Sequence, residues 1–431
     1  MTPEKYIFAD NAQLFYIKTN KFKTESLTIS LDMPQTLEDY VMAHLLDQLL
    51  ARGCKRLPSV AHINRELDEL YSASLGINTR SSADMISFCI HADVISDRFV
   101  TDGTNVLRGV LQTAADMLLR PLTCDGAFVP ETLSKVASDF SDSIRSIKNN
   151  PRLYATARLA EIMNQSRNGN VTLESILELI PKIDAKMLYE FYTKLLGTTS
   201  IKAFYVGAQS PDAVMSTISN AFSDFHGVST HKAVIPKACV PTELITVREE
   251  MPLKQGTLAM GFRTGAAHIN KDHPTLALLN EIFGGSPASK LFLNVREKMS
   301  LCYSCGSSVS MMVGNLSVLA GIDNANVDIA RQEILHQLDL IRSGHISEDE
   351  LNAARRGIDY TLSQIYDSPR SIIEFYRTRA IFGVHESIEE YKQTFLSVSA
   401  EDVIRLANNT VFDTEFYICG VGTESDGEDD E

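Results

Sequence analysis

The segment "MAHLLDQLLARG", residues 42–53, contains residue types whose spacing can support metal chemistry. It places His44, Asp47 and Gln48 at positions i, i+3 and i+4 of a predicted amphipathic helix, so that they share one face. Two imidazoles at i and i+4 can bridge one zinc ion, but here a neutral amide stands in place of a second imidazole. On the residues alone, a single histidine on an apolar helix is interpreted as a core or groove histidine.

A second segment, "FGGSPASKLFLNVREKMSLCYSCGSS" (residues 283–308), contains an arginine and a tyrosine seven positions apart. The guanidinium of Arg296 and the phenol of Tyr303 can both donate hydrogen bonds to a carbonyl oxygen. Such donors stabilise the oxyanion that forms when an amide is attacked. The alternative interpretation is an ordinary surface charge on a helix and an ordinary aromatic side chain on a strand.

Two further features of this segment have structural interpretations. Cys302 and Cys305 have the spacing of a redox motif, but they lie in a β-like stretch rather than at a helix N-terminus, where a thiolate would be stabilised. We therefore interpret both as small core or loop residues. Gly284 and Gly285 lack the spacing of a phosphate-binding loop, and we expect a left-handed glycine cap at a helix C-terminus there.

Composition limits the classes of function. The chain has 431 residues, too many for one hydrophobic core, and its net charge of −15 disfavours nucleic acid and membranes as partners. The first residues lack the layout of a secretory signal, and no apolar run of about 18 residues is present. Seven cysteines, an odd number, do not suggest a disulfide framework. These features predict a cytoplasmic protein.

A duplication sets the predicted architecture. "PETLSKVASDFSDSIRSIKNNPR" (residues 130–152) aligns without gaps with "EDELNAARRGIDYTLSQIYDSPR" (residues 348–370), at a constant offset of 218. Both segments have apolar residues at helical spacing, which predicts two long amphipathic helices that stop before a proline. Shorter repeats follow each helix, where Asp184 and Ser399 are predicted N-caps, and "FYVG" and "YICG" are predicted strands.

We therefore predict an α+β fold with two homologous domains, each an antiparallel-rich sheet with helices packed on one face. The expected ranges are 1–225 for the first domain, 226–244 for a linker, 245–422 for the second domain, and 423–431 for an acidic disordered tail. Two such domains joined by a linker can enclose a space between them.

The layout resembles the pitrilysin/insulinase group of zinc peptidases, whose relatives include mitochondrial processing peptidase and the core proteins of respiratory complex III. The resemblance runs from about Leu27 to Gly420. In "NKFKTESLTI" and "LDELYSASL" it is especially close to the bacterial non-catalytic members that accompany a catalytic sister protein. It implies a clamshell of two duplicated domains around an extended peptide.

The same resemblance assigns roles to the helix residues. In the family motif His-x-x-Glu-His, His44 matches the first zinc ligand, Asp47 the general base and Gln48 the second ligand. The third ligand, a glutamate in a later helix, falls on Ser143, beside Asp142. With so few donors we predict no catalysis by this chain alone and no bound metal or other cofactor, with zinc only in a partner subunit. The alternative is a weak or rearranged site that uses His44 with Asp47 or Asp142.

In the second domain, the resemblance implies that Arg296 and Tyr303 bind the substrate backbone. The expected partners are a catalytic zinc-peptidase sister subunit or a second copy of this chain, together with an extended peptide. A second hypothesis is a scaffold or peptide-binding protein with no peptidase role, like the core proteins of complex III. A third hypothesis is an active peptidase with an altered site.

Overall fold

The computed structural model describes residues 2–165, 170–231, 243–266 and 272–422. The predicted acidic tail (423–431) and most of the predicted linker therefore lie outside the described residues. Within the described ranges, no helix combines the length and the apolar content that crossing a bilayer requires.

Helices and strands follow one another in a similar order in the two halves of the chain. The elements of the first half are β1 (Glu4–Ala9), β2 (Ala12–Lys18), β3 (Thr24–Pro34), α1 (Leu37–Leu50), α2 (Val60–Glu69), β4 (Ser74–Ser82), β5 (Met85–Ile95), α3 (Val106–Leu119), β6 (Thr123–Cys124), β7 (Ala127–Phe128), α4 (Pro130–Ser146), α5 (Pro151–Met163), α6 (Leu173–Leu179), α7 (Ala185–Thr198), β8 (Ile201–Gly207) and α8 (Pro211–Ala221). Those of the second half are β9 (Ile245–Met251), β10 (Gly256–Arg263), α9 (His273–Asn280), β11 (Cys302–Ser310), β12 (Asn315–Ile322), α10 (Val327–Arg342), α11 (Glu348–Gln364), α12 (Pro369–Ala380), α13 (Ile388–Leu396), α14 (Ala400–Asn409) and β13 (Val411–Gly420).

The described residues form two compact units, and each unit takes one segment from the other half of the chain. The first unit comprises the described parts of Met1–Ile144, Glu174–Val234 and Ser363–Ile388. The second comprises those of Arg145–Leu173, Ile235–Leu362 and Glu389–Glu431. The units therefore differ from the contiguous ranges 1–225 and 245–422, because α5 packs within the second unit and α12 within the first.

The two sheets share one topology. In the part of the chain that is described, the first unit has a six-stranded sheet in the order β1-β2-β8-β3-β5-β4, and the second has a five-stranded sheet in the order β11-β12-β10-β13-β9. Read in reverse, the second sheet is β9-β13-β10-β12-β11, and it corresponds strand for strand to β2-β8-β3-β5-β4 of the first sheet. In each of these two series the first pair of strands is parallel and the next three pairs are antiparallel. The predicted α+β fold and the predicted duplication are both confirmed.

Helices cover both faces of the first sheet. The hydroxyl of Thr79 in β4 donates to the backbone of α1, whereas the next residue, Arg80, lies 3.5 Å from Glu374 of α12. Because successive side chains of a strand point to opposite faces, α1 and α12 lie on opposite faces of the sheet. The expected one-face packing holds for α1, and the second face is covered by a helix from the other half of the chain.

In the second unit, α5 covers its sheet through an apolar cluster. Buried residues of α5, including Tyr154, Leu159 and Met163, pack with Ala259 of β10 and Phe416 of β13. Burial of this much apolar surface explains why α5 stays with the second sheet although the chain places it in the first half.

The duplicated helices match residue for residue. Helices α4 and α11 each contain 17 residues and begin at residues 130 and 348, the offset of 218 that the sequence predicts. One turn of 3-10 helix follows each, and Pro151 or Pro369 then opens the next helix. Proline is accepted there because a first-turn N–H has no partner within the helix. The predicted caps are confirmed, since Asp184 and Ser399 accept N–H groups at the starts of α7 and α14.

Candidate functional site

Helix α1 holds the residues of the degenerate motif. Its start is fixed by Thr36, whose hydroxyl accepts the N–H of Asp39 at 3.0 Å and so caps the first turn. Its buried apolar residues recur at helical spacing, at Val41, Leu45 and Leu49. The helix therefore packs with this stripe inward, and His44 lies on its flank.

His44 is half-buried among aromatic rings. The centre of its imidazole lies 4.4 Å from the ring of Tyr40 and 5.5 Å from the ring of Phe140 in α4. Burial lowers the pKa of His44 to about 4, because desolvation disfavours the charged imidazolium. Its Nδ1 is 3.8 Å from the carboxylate of Asp47, beyond direct hydrogen-bond distance. This packing is that of a neutral groove histidine.

Asp47 anchors a strand. Its buried carboxylate accepts a hydrogen bond from the backbone N–H of Thr79 at 2.7 Å, and the Thr79 hydroxyl donates to the carbonyl of Ala43 at 3.0 Å. Burial raises the pKa of Asp47 to about 6, although the hydrogen bonds from Thr79 act in the opposite direction. The acid at the general-base position thus joins α1 to β4. Reasoning from side-chain length did not anticipate this role.

The remaining ligand positions supply no strong zinc donor. Gln48 offers only an amide, and Ser143, exposed on α4, donates its hydroxyl hydrogen to the carbonyl of Phe140 in its own helix at 2.7 Å. Across the residues that the structure describes, no three His, Cys, Asp or Glu side chains are grouped so that they could hold a metal ion. The donor set around His44 therefore does not fit a catalytic zinc ion.

Arg296 and Tyr303 line one open cavity of about 300 Å³ in the second unit. Arg296 lies in the helical segment Leu291–Lys298, with its guanidinium 4.6 Å from the ring centre of Phe292. Tyr303 lies near the start of β11 with 58% of its surface exposed, and its phenol donates to a carboxylate oxygen of Asp323 at 3.3 Å. The two donors predicted from the sequence are thus neighbours in space.

Backbone geometry fixes the helical segment against β11. A Cβ at Gly284 would lie 2.7 Å from Leu291 and 2.8 Å from the backbone nitrogen of Ser307, so only glycine permits this approach. Ser300 has a φ of +51°, a left-handed turn that leads from the helical segment into the strand. Neither Gly284 nor Gly285 has a positive φ, so the predicted left-handed cap is wrong. Glycine is needed at 284 for close packing.

Two acids of this cavity were missed by sequence reasoning. Asp323 accepts the phenol of Tyr303, and the carboxylate of Glu297 lies 3.6 Å from Nε of Arg296. A peptide carbonyl would compete with these acids for the same two donors. Glu297 is adjacent in sequence and could have been found, whereas Asp323 becomes a neighbour only because β12 pairs with β11.

Both cavity and motif lie beside sheet edges. Among the described strands, β11 pairs with β12 alone and β4 pairs with β5 alone, so each has one open side. Backbone N–H and C=O groups on an open side can pair with an extended peptide. Chemically, the second unit thus offers backbone pairing next to two side-chain donors.

Known proteins resemble this chain in sequence and in fold. Residues 182–358 match the family described as "Peptidase M16 inactive domain". The chain is similar to the probable inactive metalloprotease YmfF of Bacillus subtilis, with 27% identity over 407 residues that cover 94% of this chain and 95% of that protein. A conserved protein from Enterococcus faecalis has the same fold, with a TM-score of 0.90 and 23% identity over the full length of both chains. A chain of complex III2 from Candida albicans has a TM-score of 0.71 and 12% identity, covering 99% of this chain and 97% of that one.

Proposed function

We propose that this chain, which belongs to the pitrilysin/insulinase-type (M16) zinc peptidase family and is a homologue of its inactive members, is the peptide-binding subunit of a two-chain peptidase. Arg296 and Tyr303 bind the substrate backbone, and a catalytic sister subunit supplies the zinc. The observation that carries the proposal is a contrast. An exposed phenol and a partly exposed guanidinium line an open cavity at a sheet edge, whereas the zinc position on α1 has one imidazole and an acid that is already engaged.

The cavity suits a peptide backbone. A guanidinium and a phenol donate to carbonyl oxygens without regard to the side chains that flank them, so they recognise the backbone of many sequences. Their hydrogen bonds become stronger if a carbonyl oxygen gains negative charge, as it does when zinc-bound water attacks an amide. The same pair can therefore contribute to binding and to rate.

Strand addition supplies the second part of the interaction. An extended peptide that pairs with the open side of β11 gains main-chain hydrogen bonds, in the manner of other edge-strand recognition modes. Because a site that binds the peptide backbone contacts few side chains, we propose that it accepts peptides with a broad range of sequences. We also propose that the complex works in the cytoplasm, on the compositional grounds given above.

The missing zinc donors require a partner. A catalytic zinc ion needs about three protein ligands and an open position for water. The side chains at positions 44, 48 and 143 are one imidazole, one amide and one hydroxyl. A homodimer would bring two such deficient sites together, so we propose a sister chain that carries an intact His-x-x-Glu-His motif as the partner.

The proposal is tested by reconstitution. The purified chain is assayed with a quenched fluorescent peptide alone, and then with the zinc-peptidase homologue that co-purifies with it from the native organism. We expect turnover only in the mixture, with zinc assigned to the sister chain by elemental analysis. Turnover by this chain alone that is lost in His44→Ala would instead establish the altered-site peptidase.

A matched pair of double variants isolates the cavity. Arg296→Ala/Tyr303→Phe removes the two donors, whereas Arg405→Ala/Tyr360→Phe removes an exposed arginine and an exposed tyrosine elsewhere in the second unit. The first variant should lower kcat/KM by about 100-fold, the usual effect of losing an oxyanion donor, with assembly intact. The second should retain wild-type turnover.

A scaffolding role is the second candidate, and the likeness of the fold to a chain of complex III2 favours it. In that case the chain would be required for assembly, and its donors would not matter to chemistry. Unchanged turnover in Arg296→Ala/Tyr303→Phe, together with loss of the complex when this chain is omitted, would establish scaffolding.

A further inference from the structure

We propose that Cys302 and Cys305 form a dithiol site that converts reversibly to an intramolecular disulfide, and that this oxidation fixes the backbone around Tyr303. Both cysteines are reduced in the structure, and both are largely buried. Nothing in the peptide-binding role requires this chemistry. It follows from the way in which β11 pairs with its neighbour.

A β-bulge brings the two thiols to one face of the sheet. In a regular strand, residues three apart point to opposite faces, which argues against contact between these cysteines. Here Cys302 pairs with Ile322 and Cys305 with Ala320, and the register shifts between them, leaving Tyr303 as the extra residue. Because Ile322 and Ala320 are two apart on β12, they share a face, and the two cysteines share it as well.

The pairing register implies a separation between the two cysteines that a disulfide can span. Two residues of strand span about 6.8 Å, at the upper end of the Cα separations of about 4.4–6.8 Å that disulfides allow. The two thiols are close enough for each to shift the pKa of the other. Closure therefore needs only local adjustment at the bulge, where the strand is least constrained by pairing.

Charge and position distinguish the two sulfurs, since both cysteines are buried to a similar extent. Cys302 lines the open cavity together with Arg296. Interaction with Cys305 and the charge of Arg296 lower the pKa of Cys302, although its burial acts in the opposite direction, while interaction with Cys302 and burial raise the pKa of Cys305. On Cys305, the charge of Arg152 acts in the opposite direction, favouring the thiolate. Cys302 is thus the attacking sulfur, and Cys305 the resolving one.

The chemistry is thiol–disulfide exchange with a low-molecular-weight disulfide. The Cys302 thiolate attacks one sulfur of that disulfide, the sulfur–sulfur bond breaks, and one small thiolate leaves. The Cys305 thiolate then attacks Cys302 in the mixed disulfide and releases the second small thiolate. Overall, two protein thiols lose two electrons and two protons, and the small disulfide gains them as two thiols.

The ring that closes contains Tyr303 and Ser304. It would hold the bulge in one conformation and fix the direction of the Tyr303 phenol, which now donates to Asp323. The disulfide itself stands without the proposed function. Its consequence, a change in peptide turnover, rests on that function, because Tyr303 is one of the two proposed backbone donors.

The test equilibrates the whole chain with mixtures of reduced and oxidised glutathione, traps free thiols by alkylation, and maps peptides by mass spectrometry. We expect the peptide that contains residues 302–305 to lose two hydrogens and both alkylation sites. Cys124 is a free, exposed cysteine. It should carry a glutathione adduct, which shows that the oxidant reacted with the protein. Reduction with a small dithiol should reverse both changes.

Two variants check the assigned order. Cys305→Ser should trap Cys302 as a stable glutathione adduct, and Cys302→Ser should leave Cys305 unmodified. The proposal is overturned if wild-type Cys302 and Cys305 both remain alkylated while Cys124 is fully modified, or if Cys302 stops at the mixed disulfide.

The consequence for Tyr303 has its own readouts. Hydrogen exchange of the amides in residues 302–305 should slow by about tenfold on oxidation, whether or not the chain binds peptides. In the reconstituted pair, oxidation should change kcat/KM in the wild type but not in Cys302→Ser. Slower exchange with unchanged turnover would contradict the effect on peptide turnover and leave the disulfide intact. A reconstituted pair without turnover in either redox state would contradict the proposed function alone.

Discussion

The carboxylate of Asp47 accepts a hydrogen bond from the backbone N–H of Thr79 at 2.7 Å, and this contact joins helix α1 to β4, an edge strand of the first sheet. A catalytic base must be able to approach a water molecule, whereas the Asp47 carboxylate is already hydrogen-bonded to a backbone N–H group. The acid that the family resemblance places at the general-base position is thus engaged in packing, and α1 supports β4.

The first prediction concerns this support. Asp47→Ala should lower the free energy of unfolding by about 2 kcal/mol, because it leaves the buried N–H of Thr79 without an acceptor. Asp47→Asn keeps an oxygen at the same reach and should lose less than about 1 kcal/mol. Chemical denaturation at neutral pH measures both. Equal stability of the two variants would contradict a stabilising role for the hydrogen bond between Thr79 and Asp47.

Much of the fold could be predicted from the sequence because its signals are local. The duplicated helices α4 and α11 each carry a complete apolar stripe and are followed by a proline at the same relative position. Their offset in the structure therefore equals the offset predicted from the sequence. The caps at Asp184 and Ser399 were also predictable, since each is one side chain that satisfies N–H groups two or three residues away.

The features that were missed depend on contacts distant in sequence. The exchange of α5 and α12 between units is decided by which sheet buries their surfaces, and no local pattern encodes that choice. The interpretation of Cys302 and Cys305 as small core or loop residues agrees with their burial, but the bulge at Tyr303 that brings them to one face exists only in the pairing of β11 with β12. Likewise, Asp47 finds Thr79 only after β4 packs on α1.

The second prediction is a pH dependence caused by His91 in β5. This histidine is buried, with Nδ1 2.9 Å from the hydroxyl of Thr28 and Nε2 3.0 Å from the amide oxygen of Asn78. The neutral ring satisfies both, with Nε2 donating and Nδ1 accepting. Burial, followed by the charge of Arg370, lowers the pKa of His91 to about 4. The other charged groups that act on it are Glu374, Arg80 and Arg377.

Because this pKa lies below the unfolded value of 6.5, the unfolded chain binds the proton first as the pH falls. The stability that neutral His91 contributes is therefore complete above about pH 6.5 and is lost as the pH falls toward 4. Between pH 7 and pH 5 the loss should be about 2 kcal/mol. Urea denaturation of His91→Gln should show a flatter pH dependence than wild type, whereas His336→Gln, at an exposed position, should not.

The third prediction concerns the packing that holds Arg296 beside Tyr303. Gly284→Ala places a methyl group 2.8 Å from the backbone of Ser307, which cannot move without disturbing β11. We expect a loss of about 1–3 kcal/mol in the free energy of unfolding, the usual cost of overpacking. Gly197→Ala is the control, since a Cβ at that exposed helical position meets nothing within 4 Å. It should raise stability by about 0.5–1 kcal/mol. A Gly284→Ala variant that is as stable as wild type or more stable would contradict the close approach.

The last prediction asks whether a zinc site can be built on α1 while the hydrogen bond between Asp47 and Thr79 is kept. Gln48→His restores two imidazoles at i and i+4, and both positions are partly accessible on α1. Adding Ser143→Glu on α4 supplies a carboxylate from the helix that already contacts the His44 ring through Phe140. We expect Co2+ titration, followed by visible absorption, to show no binding in wild type and weak binding in Gln48→His. The double variant should bind at least about tenfold more tightly, the effect of roughly 1.4 kcal/mol from one further ligand.

His44→Ala/Gln48→His is the matched control and should bind no better than wild type. Because Asp47 still bonds to Thr79 in all of these proteins, metal binding should return without peptidase activity. Cleavage by the double variant alone would show that Asp47 can leave its anchor and act as a base.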